Sequence, residues 1–168
     1  MEVASALEAT SQSEPCETQV FARLDASGKT IAIAESCTGG LIAHRLTNVP
    51  GVSACFLGGI VAYSNEAKVG LLGVNRADLD AHGAVSGPVA RQMAEGVRER
   101  FGADIAVAVT GIAGPGGATP GKPVGLVYVA VSSGAETTVR RHEFAGPREA
   151  VKAQTADEAL NMVLERIS

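Results

Sequence analysis

The sequence predicts an α/β fold: a single-domain layered sandwich, with a mostly parallel sheet, helices on both faces and an edge strand. Three observations carry this. Apolar stretches of strand length alternate with stretches of helical periodicity along nearly the whole chain. Thr30–Ala34 is an apolar run of β-type character, and Ala103–Val109 is hydrophobic almost throughout, as parallel strands covered on both faces are. A chain of 168 residues, 46% hydrophobic and 19% charged, is the size of one domain and can bury about 70% of its unfolded surface.

The elements follow in order. Residues 1–14 are small, polar and weakly patterned, and read as a flexible tail or a short docking helix; the domain proper spans 15–168. Val20, Phe21 and Leu24 share one helical face before Gly28 stops the helix. The strand from Thr30 ends in Glu35-Ser36-Cys37-Thr38-Gly39-Gly40, and Leu41, Ile42, Arg45, Leu46 and Val49 then recur at helical spacing up to Pro50-Gly51. Residues 55–63 read as a second strand. Ser64 and Asn75 are placed to cap two short helices, and Ser86 to cap a longer one ending at Gly102, with Val89, Met93, Val97 and Phe101 on its core face. The strand of 103–109 runs into Thr110-Gly111-Ile112-Ala113-Gly114-Pro115-Gly116-Gly117. Val124–Val131 is a fourth strand, Thr137–Phe144 a charged edge strand, and Pro147 opens a last helix carrying Val151, Leu160 and Val163.

Composition narrows the functions. A net charge of −4 and an isoelectric point near 5.4 give no general attraction to nucleic acid or anionic membranes. Only 4% of residues are aromatic, which leaves few stacking platforms for single strands. Cys16, Cys37 and Cys55 form no C-x-x-C pair, and His44, His82 and His142 are scattered, so neither a disulfide framework nor a metal site is expected. The amino-terminal residues lack the basic and apolar regions of a secretory signal, and the apolar runs are too short to span a bilayer. The expected setting is cytoplasmic.

The chemistry is expected at two similar turns. The strands ending in Ser36 and Thr110 each run into a glycine-rich turn, and ligands of open α/β sheets bind at such carboxyl ends. Known phosphate fingerprints do not fit. Gly116-x4-Gly121-Lys122 is followed by Pro123 and a strand, and Ser36–Gly40 lacks the dinucleotide pattern. Lys68 can serve as general base to a serine if burial lowers its pKa, and Tyr63 can relay a proton or fix that lysine. Cys37 is an alternative nucleophile, His82 the best-placed histidine, Glu35 a residue that orients its turn, and Arg148 a phosphate clamp or a surface arginine.

The motifs AESCTGG, GGIVAYSNEAKVGLLGV, HGAVSGPVARQMA, TGIAGPGG and KPVGLVYVAV occur in this order. Over roughly residues 15–167 the chain resembles the CinA carboxy-terminal domain, or PncC, family of nicotinamide mononucleotide amidases. The resemblance implies deamidation to nicotinic acid mononucleotide and ammonia, without metal or cofactor. Ser36 would be the nucleophile, Lys68 its base and Tyr63 a support. Thr110 and the adjoining backbone from Gly111 would hold the substrate or its oxyanion, and the phosphate would suit either the Thr38-Gly39-Gly40 helix start or Arg148. A homo-oligomer is plausible. Longer relatives add a pyrophosphatase-like domain, an activity not carried over here. The alternatives are an amidase for another phosphorylated amide and a non-catalytic module that recruits partners in competence or DNA repair.

Overall fold

The computed structural model describes residues 14–168, so the tail expected over 1–14 lies, apart from Glu14, outside the described residues. The elements are α1 (Cys16–Ser27), β1 (Ile31–Glu35), α2 (Leu41–Thr47), a 3-10 turn (Val52–Ala54), β2 (Phe56–Val61), α3 (Asn65–Leu72), α4 (Arg76–His82), α5 (Gly87–Phe101), β3 (Ile105–Gly111), β4 (Leu126–Ser133), β5 (Glu136–Glu143) and α6 (Arg148–Ile167).

One sheet in the order β2-β1-β3-β4-β5 forms the middle layer. β1 runs parallel to both β2 and β3, whereas β4 is antiparallel to β3, and β5 to β4. The sheet is therefore mixed, and parallel where the site lies. The reversal has a local cause. A parallel return needs a crossover, usually helical, but residues 112–125 contain no helix and double back directly. A tight turn at Gly134-Ala135 then makes β4 and β5 a hairpin.

Side chains of the central strands alternate in size. Ile31, Ile33, Ile105, Val107 and Val109 face one way and pack with α1, α2 and α6. Ala32, Ala34, Ala106, Ala108 and Ala130 face the other, where α3, α4 and above all α5 cover them. Both faces are buried, as the uninterrupted apolar strands predict. Ser64 and Asn75 cap as expected: Ser64 Oγ accepts from Ala67 N–H (3.0 Å) and Asn75 Oδ1 from Ala77 N–H (2.8 Å). Ser86 stands before α5 but caps nothing, because its hydroxyl donates to the Gly83 carbonyl (2.8 Å). β5 is the charged edge, with Arg140 paired to Glu158 of α6 (3.3 Å) and Glu136 to Arg166 (2.8 Å).

Glu35 pairs with Val109 across the parallel β1–β3 ladder. Ser36 and Thr110, each one residue further on, therefore stand side by side at the carboxyl ends of β1 and β3, Ser36 just past its strand and Thr110 still paired with Tyr128 of β4.

Candidate active site

Ser36 follows directly on β1 and is 8% exposed. Its partner arrives from α3, which returns towards β1 after β2. Lys68 sits one turn into that helix with its side chain 1% exposed, although a lysine is rarely buried without partners. Its Nζ lies 3.0 Å from Ser36 Oγ, 2.8 Å from the Ala62 carbonyl and 3.2 Å from the Tyr63 carbonyl. Burial pushes the Lys68 pKa below the ordinary lysine range, the thiol of Cys37 opposing weakly. A neutral amine has two N–H donors and one lone pair. The two carbonyls can take the donors, which leaves the lone pair for the Ser36 hydroxyl. That is the arrangement a nucleophile and its general base require.

The turn after Ser36 is organised from within. Glu35, 1% exposed, folds its carboxylate back onto the start of α2. Oε2 accepts from the Thr38 hydroxyl (2.5 Å) and from the N–H groups of Gly40 (3.0 Å) and Ile42 (3.2 Å), while Oε1 accepts from Ala43 N–H (2.9 Å). Gly39 N–H donates to the Ser36 carbonyl (3.1 Å). At the Thr38-Gly39-Gly40 helix start the Thr38 hydroxyl and the Gly39 and Gly40 N–H groups are thus engaged within the turn itself. Gly39 and Gly40 serve the turn, with φ of 63° and 105°.

The other expected residues divide. Cys37 is buried beside Ser36, and desolvation pushes its thiol up to about 11, which keeps it protonated and poorly nucleophilic near neutrality. Tyr63 supports Lys68 through its carbonyl rather than its phenol, which is 61% exposed at the mouth of the site. Thr110 is buried and donates its hydroxyl to the Ala84 carbonyl (2.9 Å), tying β3 to the loop before α5. Gly111 has a packing reason: a Cβ there would lie 2.6 Å from Val127 Cγ2 and 2.8 Å from the Leu126 carbonyl of β4. The His82 residue is exposed at the end of α4, and its carbonyl accepts from Lys122. Arg148 does reach the site, donating to the Gly114 carbonyl (2.8 Å) and to the Tyr63 hydroxyl (3.1 Å).

Sequence reasoning missed Lys152. Its Nζ comes within 4.0 Å of where a Gly39 Cβ would stand. The signal was present: Arg148 and Lys152 are four apart on α6, hence on one helical face. Among the described residues neither pairs with a carboxylate, whereas Arg45, Arg76, Arg140, Arg141 and Arg166 all do. No group of three or more His, Cys, Asp or Glu side chains among the described residues is placed to hold a metal ion.

Comparison with known proteins decides the relationship. The CinA C-terminal domain family matches residues 13–167. The chain belongs to this family. It is 51% identical over 158 residues to a CinA-like protein of Acidobacterium capsulatum, covering 94% of this chain and 38% of that one. A CinA-like protein of Chlorobaculum tepidum is 55% identical over 143 residues, covering 82% and 34%. The chain thus spans little more than a third of these CinA-like relatives. Solved structures correspond almost end to end. A CinA superfamily protein from Klebsiella pneumoniae superposes with a TM-score of 0.88 at 37% identity, covering 90% of this chain and 95% of that one. The competence/damage inducible protein CihA of Agrobacterium tumefaciens gives 0.81 at 40% identity, covering 90% and 96%.

Proposed function

We propose that this CinA-family domain is a Ser/Lys amidohydrolase that converts nicotinamide mononucleotide and water to nicotinic acid mononucleotide and ammonia. The observation that carries the reading is the buried Lys68 amine 3.0 Å from Ser36 Oγ. A buried lysine with only carbonyls and one serine hydroxyl about it is costly for stability, and an activated nucleophile explains its presence.

Lys68 takes the Ser36 proton as Oγ attacks the carboxamide carbon. The carbonyl oxygen becomes an oxyanion, and the C–N bond then breaks as the Lys68 ammonium returns its proton to the departing nitrogen, releasing ammonia. The nicotinoyl ester on Ser36 is opened by water, which Lys68 deprotonates, and Ser36 is regenerated. Among the described residues the N–H groups of Cys37 and Thr38 donate to no other residue. They are the candidate donors for the oxyanion. Arg148 and Lys152, which among the described residues meet no carboxylate, suit the phosphate, and the exposed Tyr63 ring, bonded through its hydroxyl to Arg148, suits the cationic pyridinium face.

The test is ammonia release by the purified chain from nicotinamide mononucleotide, with nicotinamide as the phosphate-free control and Ser36→Ala beside it. The expected result is release from the mononucleotide by the parent, far less from nicotinamide, and none by the variant. Release by Ser36→Ala at the parental rate would remove Ser36 from the mechanism, and no release from a folded parent would remove this substrate.

A further inference from the structure

Glu35 is the most elaborately bonded buried side chain near the site, and the mechanism above does not use it. Four donors converge on its carboxylate: one hydroxyl and three backbone N–H groups. An ionised carboxylate is a pure acceptor, so all four bonds can form at once. The Ala62 N–H donates to the Glu35 carbonyl (2.9 Å), and Ala62 also supplies an acceptor for Lys68. One residue is thus bonded through its carboxylate to the turn that follows Ser36, and through its carbonyl to the residue that helps hold the base.

We infer that Glu35 is a positioning residue of the hydrolase, a built-in anion that gathers the first-turn donors of α2 and fixes the Ser36–Gly40 turn so that Cys37 and Thr38 N–H remain for the oxyanion. The inference rests on the Ser/Lys reading but not on the identity of the amide. Its physical basis is a division of donors. Gly40, Ile42 and Ala43 N–H and the Thr38 hydroxyl are spent on Glu35, while Cys37 and Thr38 N–H, next to the nucleophile, are not. Glutamine at this position would keep the shape but turn an NH2 group towards backbone N–H donors, and at least one of those bonds would be replaced by a donor–donor clash. The turn would shift, and the cost would fall on the transition state, where the oxyanion forms, rather than on substrate binding.

The experiment follows covalent labelling of Ser36 by a fluorophosphonate, a reagent that needs an activated serine but no natural substrate, with Ser36→Ala as the blank. Ammonia release and melting temperature are measured in parallel. Glu35→Gln is expected to slow labelling at least tenfold and to lower kcat with KM nearly unchanged. Glu35→Ala is expected to be slow too, and added formate should restore its labelling and raise its melting temperature while leaving the parent and Glu35→Gln unaffected. Labelling of Glu35→Gln at the parental rate overturns the inference, as does a folded Glu35→Ala indifferent to formate. If neither variant folds, Thr38→Val removes one of the four donors: slower labelling supports the inference, and an unchanged rate overturns it. If the parent labels but releases no ammonia, the substrate reading has failed while the role of Glu35 is still read from the labelling rates.

Discussion

Lys68 acts as a base only when uncharged, and its surroundings set the pH at which that form prevails. Burial lowers its pKa, so the neutral amine gains population at a lower pH than an exposed lysine allows. The amine accepts the Ser36 proton, so activity should rise with pH and level off above the lowered pKa. A pH profile of kcat/KM that is flat or falls across that limb would contradict the assignment. Lys68→Arg carries a charge that it cannot lose and so offers no lone pair to Ser36, and kcat should fall by about 10²–10⁴. Cys37 gives the opposite forecast. Its thiol is held protonated and faces the core beside α2, so Cys37→Ala should retain turnover, and a loss in the folded variant would reopen the question of the nucleophile.

Elements hold these residues in place by close fits. Gly96 of α5 lies under the end of α3, where an added Cβ would come to 1.8 Å from the Leu72 carbonyl. Gly96→Ala must therefore push α3 away, at a cost of about 1–3 kcal/mol for overpacking. Because α3 carries Lys68, Ser36 labelling should slow more than the fall in melting temperature suggests, and unchanged labelling would show that α3 does not set the dyad distance. The element scale also shows what was legible in the sequence. The nearly uninterrupted apolar run of β3 predicted a strand buried on both faces, and Ser64 and Asn75 marked two helix starts. Ser36 is singled out by its glycine-rich strand-end turn and Lys68 as a lysine able to serve a serine as base; that the two side chains meet is read only from the fold. The destination of the Glu35 carboxylate was not legible, since it depends on how α2 docks after two left-handed glycines. Arg148 and Lys152 announced a shared helical face, but only the seating of α6 beside the turn shows what that face meets.

At the scale of the molecule, an acidic chain presents at its site two cations, Arg148 and Lys152, that among the described residues meet no carboxylate. Held by Coulomb attraction at a partly exposed site, a phosphate should be weakened by salt. KM should rise with ionic strength while kcat stays level, and Lys152→Ala should raise KM and flatten that dependence. A KM unmoved by both would place the phosphate elsewhere. The sheet has a consequence of its own. In its central strands β1 and β3, with aliphatic branches on one side and bare methyl groups on the other, it is a layer whose two surfaces tolerate opposite errors. Shortening Ile33 leaves a hole on the α6 side, costing about 2–5 kcal/mol, whereas lengthening Ala34 wedges α5 off its seat, costing about 1–3 kcal/mol. A saturation survey scored by melting temperature should therefore split strand by strand into alternating positions, intolerant of loss at one and of gain at the next. The polarity of the mutational record would then trace the plane of the sheet.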